Sequence, residues 1–130
     1  MPVRVEFTGQ AFDDLVEYAK TGNLPLFIKK LLRLEDVGNA AGLPLGRGLT
    51  GWRKIVVGDR DWRIVFKTDP AATVAAIWVI GDRDDNACYE EALHRVQAAG
   101  ENQPEAISLA ATMFQLSQTR AESKRRRKGR

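Results

Sequence analysis

Four side chains between residues 51 and 96 are of types that bind phosphate. Lys54, Arg63 and Arg83 supply positive charge, and Tyr89 supplies a phenol. Arginine suits a phosphate because its planar guanidinium meets two oxygens at once and keeps its charge at any working pH. If the four side chains meet, they could stabilise the negative charge that develops when a ribose 2′-hydroxyl attacks the neighbouring phosphate.

Three runs rich in Val, Ile, Trp and Phe predict the strands that would position these residues. The runs cover residues 52–57, 62–68 and 73–80, and the loops between them are of hairpin length, so we predict an antiparallel meander. The predicted cross-strand pairs are Lys54 with Val65, Ile55 with Ile64, and Val56 with Arg63. Because side chains alternate between faces, Lys54, Arg63 and Lys67 should share one face of the first hairpin, and the other face should be apolar.

Two helices are predicted ahead of the meander. Residues 3–7 alternate apolar with charged side chains as a strand does, and Thr8 can then cap an amphipathic helix that stops at Gly22. Pro25 suits the first turn of a second helix, which would complete a helical hairpin. The residues that we expect this second helix to turn toward the core are Phe27, Ile28, Leu31, Leu32 and Leu34.

The stretch from residue 38 to 51 predicts a long loop, since its five glycines and one proline disfavour any regular element. After the meander, Asn86 can cap a helix that ends at Gly100. The predicted fold class is therefore α+β, in the order β-α-α-β-β-β-α, with an antiparallel sheet packed on the helical hairpin. Residues 1–100 would form this domain, residues 101–119 an additional C-terminal helix, and residues 120–130 a disordered basic tail.

Composition limits the chemistry that the chain can perform. With 130 residues it can close one core, and its single cysteine and single histidine give neither a disulfide nor a zinc site. We therefore expect no metal and no cofactor. Neither a membrane-spanning run nor a signal peptide is recognisable, which predicts a cytoplasmic protein without membrane contact. Six of the 20 basic side chains lie in the last seven residues, and without them the formal charge changes from +3 to −3. Attraction to nucleic acid would therefore come from a local patch or from that tail.

Each candidate site residue also has a structural alternative. Arg63 could be an ordinary solvated strand residue, and Arg83 could pair with one of the aspartates at positions 82, 84 and 85. Tyr89 could belong to the core, because it lies on the apolar stripe of its predicted helix. Residue type and spacing alone leave these alternatives open.

Residues 52–96 taken together resemble the C-terminal half of the RelE/ParE superfamily of toxin–antitoxin toxins. The family pattern has a lysine-bearing strand, a strand with Tyr-Arg, a strand that ends Gly-x-Arg and a helix with an early tyrosine. The matching strings are Trp-Arg-Lys-Ile-Val-Val from Trp52, Asp-Trp-Arg-Ile-Val-Phe from Asp61, Ala-Ile-Trp-Val-Ile-Gly-Asp-Arg-Asp from Ala76, and Tyr-Glu-Glu-Ala-Leu-His-Arg-Val from Tyr89. Trp62 replaces the usual tyrosine, and Val56 replaces a second lysine. The helical hairpin fits the family pattern more loosely, and with it the resemblance extends to about residue 98.

The resemblance implies metal-independent, ribosome-associated cleavage of messenger RNA, which inhibits translation. Arg63 would then stabilise the charged transition state, and Arg83 would act on the phosphate or the leaving group. Tyr89 would stack on or orient the substrate, and Lys54 would assist proton transfer or hold the RNA backbone. The other basic residues that we expect to bind RNA are Arg53, Arg60, Lys67, Arg125, Arg126 and Arg127.

The resemblance also implies partners. A cognate antitoxin would wrap the sheet and helices and cover the cationic site, and the targets would be messenger RNA and the ribosome. The predicted C-terminal helix could cover the sheet, dock a partner or mediate a homo-oligomer. Two other functions stay open: a ParE-type toxin that poisons gyrase, and a non-catalytic homologue that binds nucleic acid or protein. The trio of Arg63, Arg83 and Tyr89 favours the nuclease, whereas Val56 and the acidic body favour the non-catalytic homologue.

Overall fold

The computed structural model describes residues 2–45, 51–59, 61–69, 71–99 and 107–108. Its helices are α1 (Gly9–Ala19), α2 (Leu24–Val37) and α3 (Asp85–Ala99), and a 3-10 turn covers Gly38–Ala41. Its strands are β1 (Arg4–Phe7), β2 (Leu43–Pro44), β3 (Trp52–Val57), β4 (Trp62–Thr68), β5 (Val74–Asp82) and β6 (Ile107–Ser108). Within these ranges, none of the helices has the length and apolar character needed to span a membrane.

The strands form one mixed sheet in the order β2-β3-β4-β5-β1-β6. Strands β3, β4 and β5 make the predicted antiparallel meander, and β1 lies parallel to β5. The predicted register of the first hairpin is confirmed, with Lys54 opposite Val65 and Val56 opposite Arg63. One irregularity was not predicted: Val65 pairs with Val79 but Phe66 pairs with Ile77, so β5 bulges at the residue between them.

Helices pack on both faces of the sheet. The helical hairpin of α1 and α2 covers one face over the larger core, whose fully buried members include Leu15, Phe27, Leu31, Phe66 and Ile77. Helix α3 covers part of the opposite face over a second cluster that contains Trp52, Val65, Val79, Cys88 and Ala92. The face that we predicted to carry separated cations is therefore apolar where α3 packs on it.

The helical hairpin begins and ends at the predicted residues. The Thr8 hydroxyl accepts a hydrogen bond from Ala11 N at 3.1 Å, as an N-cap does, and Gly22 follows α1 with a φ of 84°. Pro25 lies in the first turn of α2. The prediction that Leu32 faces the core was wrong, because it is 45% exposed. One helical step of about 100° from buried Leu31 turns it out of the apolar stripe.

The stretch that we predicted as a loop contains regular structure. Leu43 and Pro44 pair with β3 as strand β2, directly after the 3-10 turn. Gly42 allows this close approach: a Cβ there would lie 2.7 Å from Phe66 Cε1 and 2.9 Å from the Lys54 carbonyl oxygen. The prediction failed because glycine here provides space beside the sheet rather than a break in it.

Part of the predicted C-terminal helix is a strand. Ile107 and Ser108 form β6, which pairs with Phe7 and Glu6 of β1. The outer edge of β1 offers unpaired backbone groups, and pairing satisfies them, so this edge overrides the local helical pattern. The rest of the predicted helix and the predicted basic tail lie outside the described residues.

Asp69 holds the turn between β4 and β5. Its carboxylate accepts hydrogen bonds from the Thr73 hydroxyl at 2.6 Å, from Thr73 N at 2.6 Å and from Val74 N at 2.8 Å. The bond from the Thr73 hydroxyl, followed by the bond from Val74 N, lowers the pKa of Asp69 because both favour the charged carboxylate.

Asp69→Ala is expected to lower the Tm by a few degrees at neutral pH, and the difference should disappear in acid. Because the pKa of Asp69 is lowered in the folded state, its contribution is complete above its ordinary pKa of 3.8 and is lost as the pH falls through the lowered value. Thermal unfolding followed by circular dichroism over a pH series measures this. Asp59→Ala, in the exposed β3–β4 turn, is the control. A Tm difference between Asp69→Ala and wild type that persisted in strong acid would contradict the linkage.

Candidate functional site

Lys54 and Arg63 lie on the same face of adjacent strands, and both are half-buried. Arg63 is flanked by Val56 in β3 and by Gly81 in β5. Its Nη1 donates a hydrogen bond to the Trp62 carbonyl oxygen at 3.1 Å. The register that the sequence predicted therefore brings these two cations to one face.

Arg83 directly follows β5, two residues after the glycine that pairs with Arg63. Its side chain is exposed. The carboxylates on either side of it are engaged elsewhere: Asp82 Oδ1 accepts from the Tyr18 hydroxyl at 3.0 Å, and Asp84 Oδ1 accepts from Ala87 N at 3.1 Å. Among the ion pairs of the described residues, none joins Arg83 to Asp82 or Asp84, and the side chain of Asp85 lies outside the described part of the chain.

Asp84 caps the N-terminus of α3, the role that we predicted for Asn86. Besides the side-chain bond to Ala87 N, the Asp84 carbonyl oxygen accepts from Cys88 N at 3.0 Å. An aspartate at this position satisfies an N–H group that the helix leaves unpaired. Only two residues therefore connect β5 to α3, which fixes where Arg83 leaves the sheet.

Tyr89 lies in the second turn of α3 and is half-buried against the second apolar cluster. The structural alternative for this residue is thus correct in part, because it packs against the cluster that contains Cys88 and Ala92. The same helix packs on β5 and on β4, the strand of Arg63. The structure places Tyr89 over the face that carries Lys54 and Arg63.

Arg95 is a site-supporting residue that sequence reasoning missed. From α3, its Nη1 donates to Asp14 Oδ2 at 2.7 Å and to the Trp78 carbonyl oxygen at 2.8 Å. Its Nη2 donates to Asp14 Oδ1 at 3.1 Å, and its Nε donates to Glu91 at 2.8 Å. Burial by itself would lower the pKa of Arg95, but the hydrogen bonds and charges of Asp14 and Glu91 raise it above its ordinary value.

Asp14 and Arg95 together replace a missing strand. Strand β1 ends beside Ile77, and among the described residues no strand pairs with β5 beyond Ile77 on that side. Arg95 satisfies the Trp78 carbonyl oxygen at the bulge, and Asp14 Oδ2 accepts from Ile80 N at 3.0 Å. The pair thereby ties α1, α3 and β5 together and orients the helix that carries Tyr89. The sequence signal for this pair was Arg95 itself, a charged residue on the apolar stripe of α3, seven positions after Cys88.

The two other predicted RNA-binding residues that the structure describes, Arg53 and Lys67, lie on opposite faces of the sheet. Arg53 points to the opposite face, where Nε donates to the Asn39 carbonyl oxygen at 3.1 Å and Nη2 donates to the Gly42 carbonyl oxygen at 2.8 Å. Lys67 is exposed, with Nζ 5.6 Å from the ring centroid of Trp52. Register puts it on the face of Arg63. The residues that lie outside the described ranges are Arg60, Arg125, Arg126 and Arg127.

No metal centre is formed by the residues that the structure describes, among which no group of three or more His, Cys, Asp or Glu side chains could hold an ion. The groups that the described candidate residues offer are cations and a phenol. Such a set binds anions, and it suits a phosphodiester.

No protein-family model and no curated protein matches the chain. Several solved chains are similar to it, including these two. One is the E. coli toxin RelE, a double arginine-to-alanine mutant in the free state, with 21% identity and a TM-score of 0.59 over 74% of this chain and 99% of that one. The other is the RelBE2 toxin–antitoxin complex from Mycobacterium tuberculosis, with 25% identity and a TM-score of 0.54 over 64% of this chain and 100% of that one.

Proposed function

We propose that this chain, which has the RelE-like fold, is the toxin of a toxin–antitoxin pair and cleaves messenger RNA without a metal ion. The observation that carries the proposal is the state of Arg83. Its side chain is exposed just after β5, two residues beyond the glycine that pairs with Arg63, and one carboxylate oxygen of each neighbouring aspartate is bound to another group. An arginine held in this way is available to a phosphate.

In the proposed reaction, the ribose 2′-oxygen attacks the adjacent phosphorus, and the bond from phosphorus to the 5′-oxygen breaks. Negative charge grows on the phosphoryl oxygens during this step, and Arg63 and Arg83 stabilise it. The proton leaves the 2′-hydroxyl and the departing 5′-oxygen gains one. Lys54 assists this transfer. Val56 lies opposite Arg63, so the position that often bears a second lysine in the family supplies only bulk here.

The proposed partner is an antitoxin protein, because one of the similar structures is a toxin–antitoxin complex. Messenger RNA on the ribosome is the proposed target, which makes the cytoplasm the proposed site of action. A homo-oligomer formed through the C-terminal segment is also proposed. Tyr89, at the edge of the second cluster, would stack on or orient the bound RNA.

Induced expression in bacteria tests the function. The wild-type chain is expected to arrest growth with loss of intact messenger RNA, and the double variant of Arg63→Ala and Arg83→Ala is expected to grow normally at equal protein level. Arg33→Ala, an exposed arginine on α2, is the matched control and should arrest growth as the wild type does. Arrest with intact messenger RNA would overturn the nuclease. A DNA-damage response would indicate gyrase poisoning instead, and absence of arrest would indicate a non-catalytic homologue.

A further inference from the structure

Tyr18 and Asp82 make a contact that the proposed reaction does not use. Tyr18 lies on α1 and Asp82 is the last residue of β5, and the phenol donates to the carboxylate at 3.0 Å. The two residues are 64 positions apart in the chain. The hydrogen bond therefore depends on how the helical hairpin packs on the sheet.

The ring of Tyr18 packs against two other aromatic rings. It packs on Phe27 with ring centroids 5.3 Å apart, and it meets the edge of Trp62 with centroids 6.2 Å apart. Trp62 is the cross-strand partner of Asp82. The aromatic cluster thus fixes both the donor and the strand that carries the acceptor.

The carboxylate of Asp82 would otherwise compete with the substrate. It belongs to the residue before Arg83, and a carboxylate so close in the chain can form an ion pair with an exposed guanidinium. Such a pair would occupy the guanidinium donors that a phosphate needs, and the negative charge of the carboxylate would repel the phosphate. In the structure the carboxylate is turned to the helical hairpin, on the side of Tyr18.

We propose that Tyr18 is a positioning residue, which keeps the Asp82 carboxylate away from Arg83 so that the guanidinium stays available to the RNA phosphate. This inference rests on the proposed function of the site. Burial, together with the hydrogen bond to Asp82 and its charge, raises the pKa of Tyr18 above its ordinary value, so the phenol stays protonated as a donor.

The test is an epistasis experiment with Tyr18→Phe, Asp82→Asn and the double variant. Phenylalanine keeps the ring packing and removes only the hydroxyl. Tyr18→Phe is expected to bind a short single-stranded RNA about three- to fivefold more weakly, which is the size of one exposed ion pair. Asp82→Asn should bind at least as tightly as wild type. In the Asp82→Asn background, Tyr18→Phe should have no effect.

A second readout does not depend on RNA. The rate at which phenylglyoxal modifies Arg83, located by mass spectrometry, should fall in Tyr18→Phe and recover in the double variant, since ion pairing protects a guanidinium. Equal losses from Tyr18→Phe in both backgrounds would show a purely structural role, and an unchanged Tyr18→Phe would also overturn the inference. A wild-type protein that neither binds nor cleaves RNA would refute the proposed function, while the Arg83 modification rates would still decide the role of Tyr18.

Discussion

Replacing Arg83 by alanine is expected to slow RNA cleavage about 100- to 1000-fold, the usual cost of removing one group that stabilises transition-state charge. Arg63→Ala should have an effect of the same order. Both guanidiniums lie at one end of the meander, and Arg83 has neither adjacent carboxylate as its partner. The measurement is the rate of messenger RNA cleavage in a translating extract and on RNA alone, with and without EDTA.

Two variants make this prediction specific. Arg83→Lys keeps the charge but loses the planar fork, so it should recover only part of the rate. Arg33→Ala removes an exposed arginine from α2 and should cleave at the wild-type rate. Thermal unfolding of each variant separates lost chemistry from lost structure. If Arg33→Ala were as slow as Arg83→Ala, the arginines would act only through overall charge, and the proposed site would be wrong.

Replacing Asp14 by alanine is expected to destabilise the protein by about 3 kcal/mol, because it leaves the charge of Arg95 poorly compensated in a mostly buried position. The Arg95 side chain is 10% exposed and that of Asp14 is 19% exposed. The variant also removes the acceptor of Ile80 N. The remaining ion pair with Glu91, whose side chain is 45% exposed, offsets only part of this loss. The corresponding fall in Tm is roughly 10 °C.

Chemical and thermal unfolding of Asp14→Ala and Asp13→Ala measure the effect. Asp13 is adjacent, exposed and of the same residue type, so its loss should be nearly neutral. Asp14→Asn keeps an oxygen that can accept from Ile80 N and should lose less stability than Asp14→Ala. Similar stabilities for Asp13→Ala and Asp14→Ala would mean that the pair with Arg95 contributes little to the fold.

Sequence reasoning succeeded where the physics is local. The first hairpin had a loop of fixed length between two apolar runs, and the alternation of side chains then determined every cross-strand pair, including Val56 with Arg63. The cap at Thr8 and the stop at Gly22 follow from single-residue preferences. Elements whose apolar pattern agreed with their turn and cap residues were therefore predictable.

Sequence reasoning failed where a distant segment decided the outcome. Ile107 and Ser108 lie in a segment that we predicted to be helical, but they pair with the open edge of β1 as a strand. Arg53 was grouped with the RNA-binding residues because of its type, and the sequence did not predict that its guanidinium donates to carbonyl oxygens of the turn after α2. In both cases the deciding partner belongs to another element, and no preference of the residue itself reveals it.

The sequence by itself determined the meander, its register and therefore the shared face of Lys54 and Arg63, because strand alternation needs no information from elsewhere in the chain. Only the tertiary structure decided the state of Arg83. Its neighbouring carboxylates could have paired with it, and they do not, because α3 uses Asp84 as its cap and Tyr18 holds Asp82 across the sheet. Competition among donors for these carboxylates is settled by packing, and packing is fixed only when the whole chain has folded.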